Sequence, residues 1–240
     1  MYKGIYVAMT GAVLRSRELD IVSNNLANVN TTGFKRSSFA SRLYPILEGK
    51  VERQDVAYEN ARAMATFTNY KIDHSQGSFK TTGNPLDLAI FGEGFFTIED
   101  AKGQRFFTRN GSFTLNKDGY LVTHNGAYVL NRANQRINIQ GTEINISPEG
   151  NVFVDNNLVS QIKVAKVSNI EHVADSLFAG SDEGIAKGEV VQNTLEMSNV
   201  NPIREMVGII TALKQYETSQ KVIQSFDDLA KRTATDIGRT

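Results

Sequence analysis

Two seven-residue apolar repeats, one at each end of the chain, constrain this sequence more than anything between them. At the N-terminal end Ile5, Ala12, Leu19 and Leu26 recur every seven residues, with Met9, Val22 and Val29 beside them at three- and four-residue offsets. At the C-terminal end Ile209, Tyr216, Ile223, Ala230 and Ile237 keep the same period, and Leu213 and Phe226 widen the stripe. Such a repeat reads as an α-helix with one apolar seam, and a seven-residue period implies left-handed supercoiling against another helix. Neither seam is stable alone in water. The simplest fold pairs the two helices with each other or with those of other copies, and the rest of the chain is then an insertion. The ends of the helices are signalled too. Asn201 can cap, Pro202 suits the first helical position, and Glu205 sits in the first turn, where a carboxylate favours the helix dipole. Asn28 and Asn30, then Gly33, mark a stop for the first helix.

Between the helices the period changes. From Leu86 to Val167 short apolar runs such as Leu88-Ala89-Ile90-Phe91, Phe95-Phe96-Thr97-Ile98 and Val152-Phe153-Val154 alternate with Asn110-Gly111, Asp118-Gly119, Asn125-Gly126 and Glu149-Gly150. Asn-Gly and Asp-Gly supply the positive φ angles of tight hairpins, so this region reads as an all-β domain. Leu158 to Val167 is the longest alternating run. The expected fold is α+β and discontinuous. Residues 1–33 plus 190–240 form a paired helical (coiled-coil) domain, 34–84 an extended connector, 85–168 the inserted β domain and 169–189 a return connector. A connector of that length is functional or ordered by partners.

Composition narrows the function. Lys plus Arg is 26 and Asp plus Glu is 26, so the basic excess that nucleic-acid binding needs is missing. Balanced charge also removes the self-repulsion that keeps copies apart. Cysteine is absent, which excludes thiolate catalysis and Cys-ligated metal. No apolar stretch is long enough to span a membrane. Gly4 to Leu14 mimics a signal-peptide core, but no small-x-small cleavage site follows. The three histidines, His74, His124 and His172, lack metal-ligand spacing, and Asn116-Lys117-Asp118-Gly119 lacks the glutamate of a calcium loop, having Asn125 there. Gly92-Glu93-Gly94 has Thr97 where a dinucleotide fingerprint needs glycine. Asp87, Glu93, Glu99 and Asp100 could supply a glycosidase-like carboxylate pair, though strand-edge acids are the simpler reading. Phe95, Phe96, Phe106, Phe107 and Phe113 read as core rather than as a sugar platform. No catalytic, cofactor or metal site is expected.

Residues 20–36 read Asp-Ile-Val-Ser-Asn-Asn-Leu-Ala-Asn-Val-Asn-Thr-Thr-Gly-Phe-Lys-Arg, and 195–206 read Leu-Glu-Met-Ser-Asn-Val-Asn-Pro-Ile-Arg-Glu-Met. Together they resemble the two terminal signatures of the bacterial flagellar rod and hook proteins. Thr82-Gly83-Asn84-Pro85-Leu86-Asp87, Gly92-Glu93-Gly94-Phe95-Phe96 and Thr108-Arg109-Asn110-Gly111-Ser112-Phe113 resemble the middle of that family. Residues 5–12 and the modest length look most like the proximal rod type; the distal rod or a hook-type subunit is the alternative. The resemblance implies a non-enzymatic structural subunit, exported by the flagellar type III apparatus without a cleaved signal. It implies assembly in the periplasm into a hollow torque-transmitting shaft. Its implied partners are copies of itself, other rod and hook proteins and the export apparatus, with no nucleic acid, no membrane insertion and no cofactor. The expected assembly contacts are Ile5, Met9, Ala12, Leu19, Asn24, Asn25, Leu26, Asn28, Gly33, Phe34, Asn199, Asn201, Pro202, Ile209, Tyr216 and Ile223. Asn24, Asn25 and Asn28 fit an interface turn or simple helix C-capping. A function of another class, a glycan-binding or glycan-cleaving module on a coiled coil, is the runner-up.

Overall fold

The structure, a computed structural model, describes residues 2–46, 62–174 and 176–237. Residues 47–61, part of the expected connector, lie outside the described residues, as does the side chain of Ile237. Two helices flank a mostly antiparallel β region, so the chain is α+β. It divides into a helical unit, Met1–Ala27, Ser37–Asp73 and Asn201–Thr240, and a β unit, Asn28–Arg36 and His74–Val200.

The helical unit holds α1 (Tyr2–Ala27), α2 (Pro202–Ile237) and an antiparallel hairpin of β1 (Ser37–Ile46) and β2 (Arg62–Ile72). Asn201 caps α2 as the sequence suggests. Its Oδ1 accepts the Arg204 N–H at 3.1 Å and its carbonyl accepts the Glu205 N–H at 3.1 Å, which satisfies donors that the first helical turn leaves open. The hairpin lies within the stretch expected as extended connector, 34–84. Its ladder runs from Ser37 opposite Ile72 to Ile46 opposite Arg62, with a bulge at Ala40/Ser41. Mixed Ser, Thr, Arg and aromatic residues hide it, because backbone pairing alone imposes no apolar alternation.

The β unit is built on a seven-stranded antiparallel sheet. Its strands in spatial order are β13 (Val164–Ala174), β14 (Leu177–Ile185), β6 (Arg105–Thr108), β5 (Phe95–Glu99), β9 (Tyr128–Val129), β8 (Leu121–Thr123) and β7 (Phe113–Leu115). A three-stranded sheet of β10 (Ile144–Ile146), β11 (Asn151–Val154) and β12 (Asn157–Gln161) accompanies it. So do two pairs, β4 (Leu88–Phe91) with β15 (Glu189–Gln192) and β3 (Phe79–Thr81) with β16 (Thr194–Glu196). One apolar core joins the seven-stranded sheet, the three-stranded sheet and the β4–β15 pair, with Leu88, Ile90, Phe96, Phe113, Leu121, Ile162 and Val190 among its members. Phe96 and Phe113 meet edge to face at 5.2 Å. Phe95 and Phe107 are buried as well and Phe106 is half-buried, so these rings are core as expected.

Two readings need correction. Leu158 to Val167 is not one strand. β12 pairs with β11, whereas β13 pairs with β14 and β5, so the chain changes sheets at Ile162-Lys163. Buried Lys163 marks the change by donating to Asp182 Oδ2 and Asn134 Oδ1. Residues 169–189, expected as a return connector, supply the rest of β13 and all of β14. Phe178 in β14 is fully buried against Phe95 and His172. Gly180 reads as a loop signal but marks close approach: a Cβ there would lie 2.5 Å from Val167 Cγ1.

Candidate assembly interface

In the helical unit, α1 and α2 pack against each other in antiparallel sense. A Cβ on Gly4 would lie 2.7 Å from the Phe226 ring, one on Gly11 3.9 Å from Ser219 Oγ, and one on Gly208 3.3 Å from Val22 Cγ1. Further along, Asn25 Nδ2 donates to Glu205 Oε2 at 3.1 Å. The four pairings keep one register: each step up α1 is matched by an equal step down α2. At these contacts α1 contributes Gly4, Gly11, Val22 and Asn25, and at Gly4 the absence of a side chain makes room for the Phe226 ring.

The residues of the sequence stripe are placed as follows. Ala12 is buried, and Ile5, Leu19, Leu26, Ile209, Tyr216 and Ile223 are half-buried. Met9 is 49% exposed, and Leu213 and Ala230 face solvent. α1 also lies against β1 and β2. The Ser and Thr hydroxyls on α2 are satisfied within their own helix; Ser219 Oγ, for example, donates to the Gln215 carbonyl at 3.0 Å.

A polar knot closes one end of this seam. Asn25 is 0% exposed. Its Oδ1 accepts the Ser37 N–H at 2.9 Å, and its Nδ2 donates to the Ser37 carbonyl at 2.8 Å as well as to Glu205. An amide suits this place because it donates and accepts at once. Glu205 is buried too, so the carboxylate read as a helix-dipole residue is also a seam residue. Asn24 is on the exposed face of α1, and Pro202 is exposed at the start of α2.

The β unit carries a second polar knot, and this one is ionic. Glu196, 0% exposed at its side chain, accepts from Lys35 Nζ at 2.6 Å, Arg109 Nη1 at 3.0 Å and the Gly77 N–H at 3.1 Å. Lys35 also donates to the Ser75 carbonyl at 2.8 Å, and Arg109 to the carbonyls of Ile90 at 3.1 Å and Gly92 at 2.7 Å. Two buried cations thus share one carboxylate, and backbone carbonyls of Ser75, Ile90 and Gly92 supply further acceptors. The Arg109 guanidinium also lies 5.3 Å from the Phe95 ring centroid, a cation–π distance.

Around this cluster the signature residues converge. The Gly33 N–H donates to the Glu196 carbonyl at 2.8 Å. Gly33 has φ +68°, and a Cβ there would sit 2.2 Å from the Asn110 nitrogen, so glycine is required twice over. Phe34 is buried edge-on to His172. Asn199 Oδ1 accepts the Arg36 N–H at 2.7 Å, and its Nδ2 donates to the Ser75 carbonyl at 3.0 Å. Asn28 accepts from the Thr31 N–H and hydroxyl in the turn after α1. Sequence reading named Gly33, Phe34 and Asn199 but missed Lys35, Arg109 and Glu196. Their signal was present: each lies inside one of the quoted motifs, and charged residues in such company are candidates for mutual pairing.

The chemistry of the runner-up reading has its own geometry. A cleft of about 500 Å³ in the β unit is lined by Ile98, Asp100, Phe106, Asn110, His124 and Asn125, among others. Of the four carboxylates considered, Asp100 alone lines it, and its Oδ1 is occupied by the N–H groups of Lys102 and Gln104. Asp87 is buried and accepts from Asn84 Nδ2 at 3.1 Å, while Glu93 is exposed. Among the described residues no group of three or more His, Asp or Glu gathers to hold a metal. No described helix is long and apolar enough to cross a membrane.

Three sequence families match the chain: the flagella basal body rod protein family over residues 5–35, the flagellar hook protein FlgE/F/G D1 domain over 89–154, and the flagellar basal body rod FlgEFG protein C-terminal family over 191–236. The chain is 33% identical to the flagellar basal-body rod protein FlgG of Agrobacterium fabrum, over 98% of this chain and 99% of that protein. It is 31% identical to FlgG of Caulobacter vibrioides, over 97% and 98%. It is 29% identical to the flagellar basal-body rod protein FlgF of the same organism, over 100% and 99%. The resemblance seen in the motifs thus extends along the whole chain.

Proposed function

Starting from its membership of the flagellar basal-body rod protein family, we propose that this chain is a structural subunit of the bacterial flagellar rod. It joins copies of itself and other rod and hook proteins through its terminal helices. The observation that carries this reading is the likeness to basal-body rod proteins over nearly the full length of both chains. A second observation supports the part given to the helices. On α2, Ile203, Met206, Val207, Ile210 and Leu213 recur at three- and four-residue spacing and are exposed, Ile203 by 73%. Val7, Met9 and Val13 are exposed on α1. The seam residues Ile209, Tyr216 and Ile223 are on the inner side of α2, so a neighbouring subunit would meet the outer stripe. Burying such a stripe against a second subunit gains roughly 25 cal/mol per Å². A contact of one face with a different face on the next copy does not close, and builds a filament.

On this reading the subunit leaves the cell through the flagellar type III export apparatus without a cleaved signal and assembles in the periplasm into a torque-transmitting shaft. The proximal rod is favoured, on the modest length and residues 5–12; the distal rod or a hook-type position is the runner-up. Imaging purified basal bodies with this protein tagged tests the reading. Density for the tag in the proximal part of the rod is expected. Absence of the tag from the basal body would overturn it, and density farther along the axis would select the runner-up.

A further inference from the structure

The chain passes between its two units four times, at 27/28, 36/37, 73/74 and 200/201. On the β-unit side, the segments leading to these crossings are bound to one another. Lys35 and Asn199 both donate to the Ser75 carbonyl, Asn199 accepts the Arg36 N–H, and Glu196 holds both Lys35 and, through its backbone, Gly33. Arg109 ties Glu196 inward to the carbonyls of Ile90 and Gly92. The pairings Gly33 with Glu196 and Arg36 with Asn199 advance together, so these two segments run parallel. Tension entering at residue 28 and leaving at residue 200 therefore pulls them in opposite directions along their length. Every contact between them then shares the load, rather than failing one at a time.

We infer that the Lys35–Glu196–Arg109 cluster, with Asn199, is a mechanical clamp that makes the β unit resist force delivered along the chain through its crossings. Hydrogen bonds to buried charges are the strongest available for this purpose, and their water-excluded setting slows replacement of each bond by solvent. The need for such a clamp rests on the rod reading; its existence does not. A chain missing from basal bodies would sink the rod reading and leave the clamp standing.

The test is single-molecule pulling on the full chain. The chain has no cysteine, so introduced thiols are unique handles. One pair, Asn30→Cys with Ile203→Cys, loads the crossings; the other, Lys102→Cys with Lys117→Cys, loads exposed hairpin turns elsewhere in the β unit. The variant Lys35→Met keeps the Glu196–Arg109 charge balance while removing the bonds to Ser75 and Glu196. At equal force, opening through the crossing handles is expected to speed up about tenfold or more, and through the control handles less than about twofold. Equal acceleration in both directions, or none across the crossings, would overturn the clamp. If Lys35→Met does not fold, Asn199→Ala serves instead, and an unchanged opening rate across the crossings in that variant would equally overturn it.

Discussion

The helical and β units bury apolar surface in opposite ways. In the β unit a continuous core of aliphatic and aromatic side chains is shut off from water, from Leu88 through Phe113 to Val190. In the helical unit Ala12, Leu14, Ile21 and Ala212 are buried, while Val7, Val13, Ile203, Val207, Ile210 and Leu229 are exposed. The β unit also exposes apolar side chains such as Phe91, Leu158 and Ile185, but over a closed core, whereas the helical unit exposes a run of them along α2. Their polar knots differ in the same sense. The β unit encloses two cations around Glu196, which demands a rigid and dry setting. The helical seam uses one amide and one carboxylate, Asn25 and Glu205. On the proposed function, stability rests chiefly with the closed core of the β unit and association with the exposed stripe of the helical unit.

The largest effect that would sharpen this contrast comes from Glu196→Leu. It leaves Lys35 and Arg109 buried without their counter-charge, and we expect a loss of about 3–5 kcal/mol, read as a lowered urea midpoint. A near-neutral result would mean that the ionic knot does not secure the β unit. Next is Asn25→Leu, which deprives Ser37 of two bonds and Glu205 of one. A loss of about 1–3 kcal/mol is expected, with faster hydrogen exchange in α1 and unchanged exchange in Leu88–Phe91. Asn201→Ala removes the α2 cap and should cost about 1 kcal/mol, seen as fraying of the first turn by hydrogen exchange.

A smaller effect concerns acid. Burial raises the Asp182 carboxyl, but hydrogen bonds from Lys163 and the Gly184 N–H, with the charges of Lys163 and Arg105, outweigh it and hold the group below the usual aspartate range. Its contribution is therefore present above the ordinary aspartate pKa of about 4 and is lost as pH falls through the depressed value. Asp182→Asn should lower stability slightly at neutral pH, converge on the parent at low pH, and so flatten the acid limb of a stability-against-pH curve. A steeper acid limb in the variant would contradict the assignment.

Much of this was legible in the residues because local signals and tertiary structure agree. Asn201-Pro202 starts a helix on its own chemistry, and Asp118-Gly119, Asn125-Gly126 and Glu149-Gly150 all adopt positive φ at the glycine. Asn110-Gly111 does not. There the missing side chain makes room for the Leu88 carbonyl, which a Cβ would approach to 1.7 Å, a long-range reason that no dipeptide rule contains. The seven-residue period was visible at both ends, and Ala12 of the N-terminal stripe is buried while Val22 beside it meets Gly208 of α2. The role of Gly4, which makes room for the Phe226 ring at the far end of the chain, was not visible. The ionic knot escaped for a related reason. Lys35 and Glu196 are 161 residues apart, and nothing in either stretch alone says that the other will close on it.

The central claim is that association belongs to the outer stripe of the helical unit and stability to the β unit. Ile210→Asp tests both halves at once. Ile210 is 54% exposed, so the isolated protomer should change by no more than about 0.5 kcal/mol. The variant should unfold in urea like the parent and yet be missing from purified basal bodies, leaving the cells non-motile. A variant that incorporates normally and supports swimming would contradict the account.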